Sequence, residues 1–239
     1  MPNLNNKRVV VTGITGGIAN ATVQRLLKSG ASVIVSARTQ EKLDAALATL
    51  DGDITGHVMD LASEDSIAAF FEKVGEFDHL ITPAASSMFA PIAEMDMKAA
   101  REILETKQWG QMLCVHYGSK MISKTGSITV FSGTVTQKPL PGSTMFAAVG
   151  AASEASARVW GLELAPVRVN SIVPGIIETP IWGNLMGDAA SDTLGSIAES
   201  LPVGRVGSAD DVAKAVEFLI DNEFVNGHAL VVDGGHRLI

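Results

Sequence analysis

The chemistry-bearing residues that stand out first are Gly13, Thr15, Gly16, Gly17 and Ile18. They follow the β-branched run Val9-Val10-Val11-Thr12 and lead into an amphipathic stretch from Ala19. A strand that runs into a glycine turn and then opens a helix gathers free backbone N–H groups and the positive end of a helix dipole. The glycines let a pyrophosphate approach the backbone closely. The alternative is a plain strand–helix turn with no ligand. Residues at fixed distances downstream favour the phosphate cradle. The second β-branched run ends Ser36-Ala37-Arg38, with no Asp or Glu to accept from the adenosine ribose of NAD. Arg38 offers a cation to the 2′-phosphate of NADP(H), with Ser36 and Thr39 as hydroxyl donors; its alternative is a solvated residue before the next helix. Asp60 closes a third run, where its carboxylate either accepts from an adenine amino group or caps the helix that follows.

These residues need a scaffold, and the hydrophobic pattern supplies one. Short apolar runs at Arg8–Thr12, Ser32–Ala37, Ile54–Asp60, His79–Thr82, Ser127–Ser132, Arg168–Val173 and Ala229–Val232 read as strands. Between them, Ala19–Ser29, Gln40–Leu50, Ser63–Val74, Lys98–Ser123, Thr144–Leu164 and Ala209–Asp221 read as helices. The strand runs are near-continuously hydrophobic, as in a sheet covered on both faces. The pattern predicts an α/β fold: a Rossmann-type, doubly wound parallel sheet of seven strands flanked by helices, in a single domain over residues 1–239. Residues 178–200, rich in Gly, Met, Ser and Ala, predict a small helical flap over a site at the carboxyl ends of the strands.

Composition narrows the partners. The chain has 239 residues, nearly half of them apolar, enough for a sizeable core. A net charge of −8 argues against nucleic acid and anionic membrane surfaces. The lone cysteine, Cys114, excludes an intrachain disulfide and a cysteine-rich metal site, which points to a cytoplasmic setting. No apolar run reaches membrane-helix length. The five histidines show no metal-ligand spacing. Met88, Met95, Met97, Met186 and Trp182 fall in loops expected to border the pocket, either lining an apolar cavity or filling gaps in the core.

Over essentially its whole length the chain resembles the short-chain dehydrogenase/reductase family. Thr12-Gly13-Ile14-Thr15-Gly16-Gly17-Ile18-Ala19 is similar to that family's TGxxxGxG, with Ala19 for the third glycine. Arg38 resembles its NADP-selecting arginine and Asp60-Leu61 its adenine-binding acid pair. Asn170 to Thr179 is similar to its NxxxPGxxxT segment, which includes Pro174 and Gly175. That segment implies that the Ile177 backbone and the Thr179 hydroxyl hold the nicotinamide carboxamide. Pro202, Gly204-Arg205-Val206-Gly207 and Val232-Asp233-Gly234-Gly235 resemble its C-terminal signature. The resemblance implies NADP(H) as cofactor.

The same resemblance exposes a break. The family's NNAG motif falls on Thr82-Pro83-Ala84-Ala85, and the segment ending in its catalytic serine falls on Gly126–Gly133, through Phe131 and Ser132. The positions of its catalytic tetrad then carry Lys107 for Asn, Gly133 for Ser, Phe146 for Tyr and Gly150 for Lys. None of the last three can ionise. The lone tyrosine, Tyr117, lies far from the expected position. Two residues are left as catalytic candidates. Lys107 could extend its ammonium into the space vacated at Gly150, or point to solvent or to Glu105 and Asp96. Ser132 stands one residue before the lost serine, or bonds local backbone.

Three activities remain open: an NADP(H)-dependent oxidoreductase of a small carbonyl or alcohol with a non-standard active site; a catalytically inactive NADP(H)-binding sensor or assembly protein; and a non-redox enzyme on the same scaffold. The expected partners are a small-molecule substrate, no nucleic acid, no membrane, and copies of the same chain. The resemblance implies a homodimer or homotetramer, with Trp109, Met112, Leu113, Val159 and Trp160 available to an interface or to the core.

Overall fold

Residues 2–83 and 88–239 are described by the structure, a computed structural model, with the backbone alone described at residues 184–186. The order is β1 (Arg8–Val11), α1 (Gly17–Lys28), β2 (Ser32–Ala37), α2 (Gln40–Leu47), β3 (Ile54–Val58), α3 (Glu64–Val74) and β4 (Phe77–Thr82). The chain continues with α4 (Met97–Ile103), a π-helical turn over Leu104–Trp109, α5 (Gly110–Gly118), β5 (Ile122–Phe131), α6 (Thr144–Glu163) and β6 (Arg168–Pro174). It ends with β7 (Ile177–Glu178), α7 (Ile181–Met186), α8 (Ala190–Ser200), β8 (Gly207–Ser208), α9 (Ala209–Asp221) and β9 (Ala229–Val232).

Seven strands form one parallel sheet in the order β3-β2-β1-β4-β5-β6-β9, while β7 and β8 pair separately. The order reverses between β1 and β4, so the connections leave those two strands in opposite directions and a crevice opens beyond their carboxyl ends. Alternation along each strand feeds two cores. Val9 and Val11 pack with Val33 and Val35 against α1 and α9, whereas Val10 and Ile34 face Phe70, Phe71 and Leu113 on the other side. The fold is the Rossmann-type doubly wound sheet that the strand pattern predicts.

The expected Lys98–Ser123 helix is not one element. It is divided by the π turn and ends at Gly118, and β5 starts at Ile122 rather than Ser127. Two contacts bear on where the helix ends and the strand begins. A Cβ at Gly118 would lie 3.0 Å from Leu80 Cδ2 and 3.1 Å from Phe71 Cε1, so the helix end is pressed onto β4 and α3. Ile122 then pairs with Phe77 across a register shift, which draws the following residues into the sheet. Elsewhere the strand and helix ends shift by a few residues, as in β3, which stops at Val58 before Asp60.

Among the described residues no helix is long and apolar enough to cross a membrane. The residues offered for an interface divide: Leu113 belongs to the core and Trp160 packs against it, while Trp109 and Val159 are exposed. Of the loop methionines, Met95 is buried with Ile103, Met145 and Val149, Met88 packs against that cluster, and Met97 is exposed.

The helix that presents the glycine turn is clamped from behind. Arg25 on α1 donates to Glu217 Oε2 on α9 at 2.6 Å and to Asp210 Oδ1 at 2.9 Å, while Ser29 Oγ donates to Glu217 Oε1 at 2.7 Å. Glu217 is only 4% exposed, so its loss would leave Arg25 and Ser29 short of a partner in a dry environment. Glu217→Ala should therefore cost about 2–3 kcal/mol of unfolding free energy in urea titrations. A change under about 0.5 kcal/mol would mean that the clamp is not needed.

Candidate active site

The crevice at the β1/β4 reversal is a cleft of about 510 Å³. Gly13 enters it at φ +73°, a left-handed conformation that disfavours any residue with a Cβ. Its N–H donates to Ser36 Oγ at 3.1 Å, and the Ile14 N–H donates to the Ser36 carbonyl. Helix α1 begins behind Gly16 with no side-chain cap and no acid in its first turn, so its free N–H groups face the cleft. A Cβ at Gly17 would lie 3.1 Å from Thr179 Cγ2 and 3.2 Å from Pro180 Cδ. Glycine there lets the segment after β7 close over the turn.

Along the walls stand Gly13, Thr15, Gly16, Gly17, Ile18, Ser36, Arg38, Asp60, Leu61, Pro83, Lys107, Phe131, Ser132, Pro174 and Thr179, all singled out from the sequence. Arg38 is exposed and has no hydrogen-bond or ion-pair partner among the described residues. That free guanidinium, the uncapped helix start and the positive-φ glycine suit the phosphates of a dinucleotide. Asp60 Oδ1 accepts from the Ala62 N–H, and Ser63, not Asp60, caps α3.

Several expected roles change. Ser36 is buried and its oxygen is engaged in holding the glycine turn, which is a structural role before any ligand binds. Thr39 is off the cleft wall and caps α2 by accepting from the Lys42 N–H. Gly175 is also off the wall: its N–H donates to the Val232 carbonyl, and a Cβ there would sit 2.7 Å from Asp233 Cα. Ile177 is buried and its carbonyl accepts from Trp182 Nε1. Trp182, Met88, Met95 and Met97 are not on the wall, whereas Pro180 and Ile181, from the segment expected to form a flap, are. Ala84 and Ala85 lie outside the described residues, as does the Met186 side chain.

Of the four break positions Lys107 and Phe146 line this cleft, whereas Gly133 and Gly150 are off its wall and lie close to each other beside Ser132. Lys107 is 6% exposed, and its ammonium sits 5.1 Å from the centre of the Phe146 ring. The Phe146 ring in turn packs against Phe89 with a tilt of 35°, the ring centres 4.9 Å apart. Lys107 therefore points neither to solvent nor to Glu105 or Asp96. It also does not fill the space at Gly150: a Cβ there would meet Ser132 Oγ at 2.8 Å and Thr136 Cγ2 at 2.9 Å, so those side chains hold that space. Ser132 Oγ donates to Glu154 Oε1 at 2.5 Å, and Thr136 Oγ1 donates to the same oxygen at 2.7 Å.

Two functional side chains escaped the sequence reading. Glu154 lies one helical turn beyond Gly150, and that spacing was the available signal. Gln111, 3% exposed, lies one turn beyond Lys107. Gln111 Oε1 accepts from Thr82 Oγ1 at 2.9 Å and from the Phe131 N–H at 3.1 Å, and its Nε2 donates to the Lys107 carbonyl at 3.0 Å. It ties the π turn to the ends of β4 and β5. Gly110 completes the seating, since a Cβ there would meet the Leu61 carbonyl oxygen at 2.8 Å.

A family model described as Enoyl-(Acyl carrier protein) reductase matches residues 13–237. The chain is 31% identical over 254 residues to the "Short-chain dehydrogenase/reductase ucsE" of Acremonium sp, covering 97% of this chain and 96% of that protein. It is 31% identical over 246 residues to human "Dehydrogenase/reductase SDR family member 4", covering 97% and 88%. A crystal structure of a small-chain dehydrogenase in complex with NADPH superposes with a TM-score of 0.83 at 30% identity, covering 98% and 99% of the two chains.

Burial pushes the Lys107 ammonium down from 10.5 to about 8. The other charged residues on the walls are Arg38, Lys42 and Asp60, with Glu154 behind Ser132, and none forms an ion pair with it among the described residues. Between about pH 8 and 10.5 the unfolded chain holds the Lys107 proton and the folded chain has released it, so stability rises with pH in that window. Relative to Lys107→Met, the native chain should gain about 2 kcal/mol between pH 7 and 9.5 in paired urea titrations. A pH-independent difference would place the ammonium in water.

Proposed function

Because the chain belongs to the short-chain dehydrogenase/reductase family, we propose that it is an NADP(H)-dependent oxidoreductase acting on a small carbonyl or alcohol through a non-standard active site. The observation that carries this reading is one cleft holding both a phosphate cradle and a buried ammonium. The uncapped N-terminus of α1 and Gly13 would receive the pyrophosphate, Arg38 the 2′-phosphate, and Asp60 the adenine. When bound, NADPH supplies a hydride. The resemblance to a solved dehydrogenase in complex with NADPH supports the same cofactor here.

The residues at the inner wall supply what the lost tyrosine would have done. Lys107, with its ammonium at about 8, is acidic enough to give a proton to the oxygen of a carbonyl undergoing reduction and would recover a proton from solvent at neutral pH. Phe146 screens that ammonium from water on one side. Ser132, its proton engaged by Glu154, offers oxygen lone pairs that fix the orientation of a substrate hydroxyl. A cytoplasmic setting and a two-fold dimer or tetramer belong to the same reading. The free, buried Cys114 supports the first, and exposed Trp109 and Val159 the second.

A second reading, an inactive NADP(H)-binding sensor or assembly protein, is favoured by one observation: Gly133, Phe146 and Gly150 contribute no ionisable group to the wall. A fluorescence titration with NADPH, followed by absorbance decay with a panel of activated ketones and quinones, separates the two. Binding with turnover is expected. Binding without turnover across the panel would favour the sensor, and no binding would overturn both. Arg38→Ala should weaken NADPH by about 10–100-fold and leave NADH nearly unchanged, the loss expected for a charge-assisted phosphate contact.

A further inference from the structure

We propose that the substrate of this cleft carries a carboxylate that pairs with Lys107, in the simplest case a 2-oxo acid with an apolar or aromatic side chain. The proposal rests on the oxidoreductase reading and names the substrate class of that site. Three observations carry it. The Lys107 ammonium lies on the cleft wall and is 6% exposed, yet among the described residues no carboxylate and no hydrogen-bond acceptor meets it. Residues 84–87, which lie outside the description, are Ala-Ala-Ser-Ser and bring no acid either. Its ammonium instead lies over the Phe146 face, 5.1 Å from the ring centre.

A buried ammonium with no counter-charge is a standing cost, and a protein interior retains such a group where a ligand completes it. Two classes of anionic oxygen could do so: a substrate carboxylate or a cofactor phosphate. The phosphate-binding features form a separate set, the α1 N-terminus with Gly13 and the unpaired Arg38. Lys107 instead shares its part of the wall with Phe146, Phe131 and Ser132, which suits the reacting end of a substrate. A 2-oxo acid presents its carboxylate and carbonyl oxygens side by side, so one ammonium, with three donors, serves both. The Phe146 ring on the wall, with Phe89 tilted against it, offers an apolar surface to the remainder of the molecule.

Calorimetric titration of the protein saturated with NADP⁺, in which a 2-oxo acid cannot be reduced, tests this with benzoylformate and its neutral methyl ester. The native protein should bind benzoylformate at least tenfold more tightly than the ester at pH 7. Lys107→Met should lose that preference, and Lys107→Arg should keep most of it. Circular dichroism and an NADPH titration on each variant show that it is folded and loaded. Equal affinities in the native protein, binding of neither probe, or a preference retained in Lys107→Met would overturn the proposal. So would a Lys107→Met variant that loses NADPH affinity while keeping the benzoylformate preference, since the anion would then be the cofactor's phosphate. Failure of the native protein to bind NADPH at all is a different result, and it would remove the oxidoreductase reading itself.

Discussion

The site depends on how closely backbone can approach backbone at the β1/β4 reversal. The sheet opens a crevice there, but a crevice lined with ordinary side chains would be filled by them. Gly13 turns the chain at φ +73°, and Gly17 leaves room for Thr179 and Pro180. Gly110 lets α5 settle against the Leu61 carbonyl. At Gly17 and Gly110 a single Cβ would push an element outward, so two absent side chains set how closely the glycine turn meets the segment after β7 and α5 meets the loop after β3. The Ser36 hydroxyl then locks the turn by accepting from the Gly13 N–H, converting an open loop into a fixed cradle. The Arg25–Glu217 clamp holds the other end of the same helix.

Within that frame Lys107 is the residue whose energetics are unbalanced. The fall from 10.5 to about 8 corresponds to about 3 kcal/mol against the charged form. The Phe146 face returns about 0.5–2 kcal/mol, the usual range for a cation over an aromatic ring. The difference is not met elsewhere among the described residues. The backbone around Lys107, by contrast, is fully secured: Gln111 bonds the Lys107 carbonyl and reaches both β4 and β5. A rigid mount under an unsatisfied charge is the arrangement expected where a ligand completes the electrostatics.

Much of this could be read in the sequence, for reasons that differ by element. The β1–turn–α1 unit was legible because a β-branched run, a glycine cluster and helical periodicity follow one another without ambiguity. Strands β2 and β9 and helix α9 were read to their ends, since turn residues bound them on both sides. The Lys98–Ser123 region was not, because its end at Gly118 packs on Leu80 and Phe71, which are distant in sequence, and no residue pattern marks the π turn over Leu104–Trp109. Ser36 and Thr39 looked like ligand donors, yet a hydroxyl near a turn is as useful to the turn as to a ligand. The inward direction of Lys107 was readable in part: Ile103, Lys107 and Gln111 are spaced four apart, and Ile103 is core.

The Ser132–Glu154 pair shows where sequence reading stops. A serine beside a lost catalytic position looks like its replacement, and position alone gives no reason to think otherwise. Glycine at 150 changes that, because it leaves a space one turn before Glu154 that Ser132 and Thr136 occupy together. The three side chains form a closed polar set in which both hydroxyl protons are directed at one carboxylate. A serine held in this way is a poor proton donor, since donating to a substrate would leave the Glu154 carboxylate with one bond fewer. The polar capacity around Phe146 and Ser132 is thus divided among the described residues: Glu154, Thr136 and Ser132 satisfy one another, and the Lys107 ammonium is left with donors to give. That division, more than the absence of a tyrosine, leaves the ammonium as the group at this part of the cleft with donors free for a ligand.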